Sequence, residues 1–281
     1  MTTTARMIKD SISPEGIRLP TMVIRNPRII HSEFMTHRVF SRNASSSRAI
    51  PLKTARRSIR QDPAYPASWG ANQKGMQAGA DLQGWRLGLT KATWDFHRHM
   101  SLFCSWLTEK AGAHKQIGNR LTEAHSHIEL VVTSTSWANW EALRDHPDAD
   151  PTIKLTAEAI LNCMANSTPK LLQPGEWHLP FVMDYEIRDQ GIEEAKIMSV
   201  ARCARVSYGL HDGSRADYVN DLRLYQQLIG TPVHASPFEH QATPDKKWAS
   251  KNRWAKPELH GNLHGWVQLR KTIPGEAVHE Y

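Results

Sequence analysis

The 281-residue sequence is short of several things at once. Cysteine occurs three times, at Cys104, Cys163 and Cys203, too few and too scattered for a disulfide scaffold or a cysteine-built metal site. Each lies in apolar, helix-like text (SLFCSW, ILNCMA, VARCAR), where a buried, inert thiol is the expectation. No apolar run approaches the roughly 18–20 residues that span a bilayer. The opening stretch MTTTARMIKDSISPEG lacks the apolar centre of a secretory signal. Internal repeats and low-complexity tracts are missing too. Membrane protein, secreted mini-protein and zinc module are therefore excluded as readings, and a cytosolic chain is expected.

What is present is the profile of a folded chain, with 40% hydrophobic and 22% charged residues. Lysine and arginine number 35 against 28 acidic residues, a formal charge of +7 that is spread along the chain. Such a surface suits nucleic acid, a nucleotide or a phosphate-bearing cofactor, and it equally suits plain solvation.

Residues 17–25 are β-branched enough for a strand, and Ile29, Ile30, Phe34 and Met35 after Pro27 would share one helical face. Residues 41–52 read as an irregular loop, and 61–80, rich in Pro and Gly, as a second one. The strongest helix follows: Trp85, Leu89, Ala92, Phe96, Met100, Phe103 and Leu107 recur at steps of three and four until Gly112, and this stripe is expected to be core. Residues 128–133 suit a buried strand. Ser136 would cap a short helix ending at Arg144, and Asp150-Pro151 caps the next. Two more helices are expected near 191–205 and 215–229. Strands and helices mix without a βαβ rhythm, so the fold class is α+β.

The densest polar segment is THRVFSRNASSSRAIP, residues 36–51. Arg38, Arg42 and Arg48 offer guanidinium forks, while Ser41, Ser45, Ser46 and Ser47 add hydroxyls beside loop amides. That is a plausible phosphate cradle. A solvated Ser/Arg loop weighs about as much.

The same segment resembles the RHRxxSxNExSxRY motif of flavin-dependent thymidylate synthases, with His37, Arg38, Ser41, Asn43, Ser46 and Arg48 in register without gaps. Thr36, Ala44 and Ala49 depart from it, standing where the family has Arg, Glu and Tyr. Residues 136–153 resemble the family's Asn and N-F-x-x-L-R helix through Asn139, Leu143 and Arg144. Asn119-Arg120 resembles its substrate-holding arginine. VARCARVSY (200–208) and HASPFEH (234–240) resemble two further family elements. Those last two normally precede the His-Arg motif and here follow everything else, so the resemblance implies a circularly permuted arrangement. It implies one catalytic domain over 1–281, with 1–190 carrying the motif loop and substrate arginine and 191–281 matching the family's N-terminal part.

Further implications come with that resemblance. Reduced FAD would take a one-carbon unit from methylenetetrahydrofolate and deliver it to C5 of dUMP, giving dTMP, with NADPH reducing the flavin. Arg144 would be catalytic, polarising the uracil. Ser46, Arg48, Arg120 and Arg144 would hold the nucleotide; His37, Arg38, Val39, Asn139, Ser236 and Glu239 would line the FAD site. No metal is implied. A cytoplasmic homotetramer of a bacterial or phage-infected cell, with active sites where subunits meet, completes the expectation. Because Thr36 and Ala44 remove a cation and a carboxylate, hydroxymethylation of a pyrimidine nucleotide is the alternative chemistry. The alternative of another class is a basic nucleic-acid-binding protein. It is disfavoured because the aromatics follow helical spacing and no nucleic-acid motif is present.

Overall fold

The computed structural model describes residues 3–208, 217–248 and 252–277. Two long strands open the chain, β1 (Thr4–Ile12) and β2 (Arg18–Pro27), followed by the short helix α1 (His31–Met35) and strand β3 (Ser41–Ala44). Helices α2 (Leu52–Gln61), α3 (Gly84–Lys110) and α4 (Lys115–Gly118) form an excursion before the chain returns as β4 (His127–Thr133). Then come α5 (Ala138–Arg144), α6 (Pro151–Ala165), the two-residue strand β5 (Lys170–Leu171), α7 (Asp184–Gln190), α8 (Ile192–Tyr208) and α9 (Tyr218–Leu228). The remaining strands are short: β6 (Ala242–Pro244), β7 (Lys247–Trp248), β8 (Arg253–Trp254) and β9 (Trp266–Gln268).

The main sheet has the order β3-β4-β2-β1-β5; its first four strands are antiparallel and β5 joins β1 in parallel. The class is α+β with a mixed sheet. Apolar residues alternate along β2 and β4, so Met22, Ile24, Ile128, Leu130 and Val132 share one face. Ile153, Ala157 and Ile160 of α6 cover that face, with Phe34, Phe40, Trp137 and Trp140 closing its end. Asp150 caps α6 as expected, accepting from the amides of Thr152 and Ile153 at 2.8 and 3.2 Å.

The sheet also carries a buried polar chain. Ser11 Oγ, His178, Thr21 Oγ1, Thr133 Oγ1 and His240 Nδ1 are linked by hydrogen bonds of 2.8, 2.8, 2.6 and 2.8 Å. Burial holds both histidines neutral: His240 is pushed down to about 3, and His178 well below the ordinary range. The chain ties the HASPFEH turn to the centre of the sheet, where an unpaired polar atom would cost a few kcal/mol.

Several expectations need correcting. The α3 stripe is not core: Trp85, Phe96 and Phe103 are 74%, 66% and 51% exposed, and the helix instead buries Ser101, Leu102 and Ser105. Recurrence at steps of three and four specifies that one face is apolar, but not what covers it. Met35 is likewise exposed, whereas Ile30 and Phe34 are buried. Residues 41–44 are a strand rather than loop, because β4 offers them a free edge to pair with. Ser136 does not cap α5, whose N-cap is Trp137. Cys203 alone of the three cysteines is fully buried, and burial raises its thiol. The predicted helix at 215–229 begins partly outside the described residues.

Candidate functional site

The site is built around β3. Before the strand, α1 ends in a turn whose amides are satisfied locally, Thr36 N–H by Glu33 O at 3.1 Å and His37 N–H by Phe34 O at 3.3 Å. This turn lays the His37 ring edge-on to Trp140, with centroids 4.8 Å apart, and alongside Phe40 at 5.7 Å. Trp140 and Arg144 lie one turn apart on α5 and so share a face. Arg144 Nε donates to His37 Nε2 at 3.1 Å and Nη2 donates to Thr36 Oγ1 at 3.2 Å. Burial, then the charges of Arg144 and Arg42, depress the His37 pKa, which keeps its ring a neutral acceptor. Both acceptors of Arg144 are uncharged, and among the described residues no carboxylate forms an ion pair with it.

After the strand, Ser46, Arg48 and Arg120 come together in an open cleft of about 530 Å³. The cleft is also lined by Arg28, His31, Ala44 and Glu123. Arg28 Nε donates to Ser126 Oγ at 3.2 Å and its Nη2 to Ser45 O at 3.3 Å. Burial lowers its pKa, an effect opposed by Glu123. His31 is depressed by burial and then by Arg28 and Arg42, so it too is neutral near pH 7. Ser47 Oγ donates to Glu123 Oε1 at 2.7 Å, while Asn119 Nδ2 donates to the carbonyls of Ser47 and Ile50 at 2.7 and 2.8 Å, fixing the serine loop against the chain before β4. The two clusters stand at opposite ends of β3, about 10 Å of strand apart.

The C-terminal segment closes the third side. Helix α8 and the turn at Ser236–Glu239 both pack on β3. Asn43 Nδ2 donates to Cys203 O of α8 at 3.3 Å, and Ser41 Oγ donates to Asn262 Oδ1 at 3.2 Å. Glu239 is paired with Arg270 and acts electrostatically on Arg42, whose pKa is lowered chiefly by burial. Arg42 Nη1 in turn donates to His37 O at 2.7 Å.

Of the predicted residues, His37 thus meets Arg144, and Ser46 meets Arg48 and Arg120. Arg38 and Val39 are exposed just after His37, and Val39 O accepts from Asn262 Nδ2 at 3.1 Å. Asn139 and Ser236 are exposed, and among the described residues no hydrogen bond joins either to the others. Sequence reasoning missed Arg28, His31 and Glu123 as cleft residues. Arg28 and His31 stand three apart after Pro27, which was the available signal; nothing local marks Glu123. Trp266 and His178 are wholly buried and structural, while Trp177 carries Lys196 Nζ 4.2 Å above its ring. Asn72-Gln73-Lys74-Gly75 is an exposed turn. Among the described residues no three metal-binding side chains cluster, and no helix is long and apolar enough to cross a membrane.

No protein-family model matches the chain, and no curated protein does. Among solved structures, the UMP/dUMP methylase PolB from Streptomyces cacaoi bound with 5-Br UMP aligns at a TM-score of 0.50 and 14% identity, over 58% of this chain and 89% of that one. The same methylase with 5-Br dUMP aligns at 0.47 and 14%, over 58% and 90%. The chain therefore shares its α+β fold with the UMP/dUMP methylase over rather more than half its length.

Proposed function

We propose that this protein transfers a one-carbon unit from methylenetetrahydrofolate to C5 of dUMP or a closely related pyrimidine nucleotide, with FAD as cofactor and NADPH as reductant. The observation that carries the reading is Arg144, a half-buried guanidinium held by two neutral acceptors about a strand's length from a cleft of arginine and serine. Five separate motif resemblances to flavin-dependent thymidylate synthases support it, as does a fold shared with an enzyme whose name states action on UMP and dUMP. The packing of α8 and the Ser236–Glu239 turn on β3 supports the permuted arrangement, since it brings the last elements in sequence against the motif segment.

The chain's own residues divide the work by chemistry. Ser46, Arg48 and Arg120 bind the phosphate, where forked donors and hydroxyls match its oxygens. Arg144 faces the uracil and stabilises the charge that builds on O2 and N3 as C5 becomes nucleophilic, without giving up its proton. His37 and Thr36 orient the guanidinium. No cysteine need attack the ring, in keeping with a buried Cys203 thiol of raised pKa. By donor chemistry, exposed Arg38 would offer a cation to the FAD pyrophosphate, and exposed Asn139 and Ser236 would offer amide and hydroxyl donors. FAD, when bound, would supply the redox chemistry of the transfer. Assembly into a homotetramer belongs to the same reading.

Ala44 and Thr36 favour one variant chemistry, hydroxymethylation, because a carboxylate and a cation of the motif are replaced. Anaerobic incubation of the reduced, FAD-loaded protein with dUMP, UMP and methylenetetrahydrofolate, followed by mass analysis, distinguishes the products. Thymidylate or its ribose counterpart supports methylation, and a product heavier by one oxygen supports hydroxymethylation. A colourless protein that binds no FAD and retards DNA would overturn the proposal.

A further inference from the structure

Between the serine loop, α2 and the chain that leads into β4 lies a second hollow, of about 210 Å³. It shares Arg28, Ser47 and Glu123 with the arginine and serine cleft and is otherwise lined by different residues. Thr54 and Ser58, one turn apart on α2, are its exposed members. Buried Ile59 and half-buried Ile50 and Ala55 supply an apolar wall. Gly118 lets α4 come close to α2 here, since a Cβ on it would stand 2.7 Å from Leu52 Cδ2.

Two buried polar side chains of the lining are short of partners. Asn119 is 3% exposed; its Nδ2 is committed to Ser47 O and Ile50 O, while Oδ1 accepts from none of the described residues. The His127 side chain is 5% exposed, with Nδ1 4.0 Å from Asp62 Oδ2 and neither ring nitrogen hydrogen-bonded among the described residues. Burial, then the charge of Arg25, pushes its pKa down to about 4, so near pH 7 the ring offers one donor and one acceptor. Buried polar atoms are nearly always paired, so this concentration beside one cavity marks a place for a polar guest. The charges of the lining cancel: Arg28 is its one cation, Glu123 its one carboxylate, and the two act on each other. The neighbouring cleft carries Arg48 and Arg120 in addition.

From these observations we infer that the hollow is a second ligand site, for a small uncharged ring bearing an amide, and that its occupancy steadies the serine loop. At about 30 Å³ per water, the volume is room for about seven waters or one substituted aromatic ring. An amide N–H answers the open acceptor of Asn119, its carbonyl answers the donor of neutral His127, and the ring packs on Ile50, Ala55 and Ile59. A charged guest would stay unbalanced beside a lining whose own charges already cancel. The link to the cleft runs through Asn119, whose one amide holds Ser47 and Ile50, and through Glu123, which accepts from Ser47 Oγ at 2.7 Å. A guest on Oδ1 fixes that amide and with it the loop that presents Ser46 and Arg48. Binding in the hollow is independent of the proposed activity; its effect on dUMP rests on the phosphate role given to Ser46, Arg48 and Arg120.

Titration of the full chain with benzamide, followed by NMR of the histidine rings, tests this. Benzamide should bind with a Kd of about 1 mM or below, ordinary for so small a probe, and should shift the His127 signals. Benzoate, of the same shape but charged, and toluene, which lacks the amide, should bind at least about tenfold more weakly. Ala55→Phe fills the hollow from α2 and should abolish binding. His127→Phe keeps a ring in place but removes both nitrogens, and should weaken binding about tenfold with circular dichroism unchanged. Saturating benzamide should tighten dUMP binding about fivefold. No benzamide binding, benzoate binding as tight as benzamide, or binding that both variants keep would each overturn the assignment. Benzamide bound with dUMP affinity unchanged would overturn the coupling. A protein that binds benzamide at His127 but no nucleotide would overturn the proposed function and uphold the second site.

Discussion

Arg144 and His37, 107 residues apart in sequence, meet through a 3.1 Å bond from the arginine Nε–H to the histidine Nε2. The histidine can accept only while neutral, and the arginine's own charge helps keep it so. The guanidinium is thereby fixed without being neutralised, which leaves its field available to a bound anion. A carboxylate partner would have fixed it as well and cancelled much of that field.

Replacing Arg144 by alanine removes the guanidinium that His37 and Thr36 hold at the α5 end of β3. Turnover should fall by about two to three orders of magnitude, the size seen when a positioned donor to a developing anion is lost. Nucleotide binding should fall much less, since the cleft of Ser46, Arg48 and Arg120 stays intact. Single-turnover kinetics beside equilibrium titration with dUMP separates the two. Equal losses in both would mean that Arg144 acts in binding alone.

Thr36 is a positioning residue, because its Oγ1 accepts from Arg144 Nη2 at 3.2 Å while donating to Glu33 O at 2.6 Å. Thr36→Val keeps the shape and removes both bonds. A loss of about tenfold in kcat is expected, corresponding to roughly 1.4 kcal/mol, an ordinary cost for one hydrogen bond to a charged group. Thr36→Ser should restore most of it. A serine variant as impaired as the valine one would show that packing, not the hydroxyl, matters there.

Arg48→Ala and Arg120→Ala should each raise the apparent Kd for dUMP by one to two orders of magnitude, the effect growing less at high salt as screening weakens the lost contact. Uridine without its phosphate should bind the variants and the parent alike. If the variants bind the nucleoside more weakly as well, the cleft does not hold the phosphate.

Acid should unfold this protein early. His125 and His127 are each held near 4 by burial and neighbouring charges, and His240 near 3 by burial. The unfolded chain binds these protons near 6.5, so the native state binds fewer between 6.5 and about 4. Stability is therefore full above pH 6.5 and falls as pH drops through that window, each histidine contributing about 1.4 kcal/mol per pH unit there. Thermal melts between pH 7.5 and 4.5 should show a steep loss of Tm below pH 6. A Tm that stays level down to pH 5 would contradict the buried, neutral assignment.

Sequence by itself determined the fold class, the adjacent strands β2 and β4, the capped helix α6 and the polar segment at 36–51. Their signals are local: alternation, an Asp-Pro cap, residue types in a run. It also offered Arg144, His37, Ser46, Arg48 and Arg120 as candidate site residues, through motif resemblance rather than through periodicity. Only the tertiary structure decided which of them meet. Strand β3 forms because β4 lies beside it, and that pairing sends His37 to one end and Ser46 to the other. The partners of Arg144 and the entry of Arg28 and Glu123 into the cleft depend on packing between segments far apart in the chain, and no local pattern encodes them. The α3 stripe shows the same limit most plainly: periodicity reveals that a helix has an apolar face, but whether the chain itself covers that face is set by the rest of the fold.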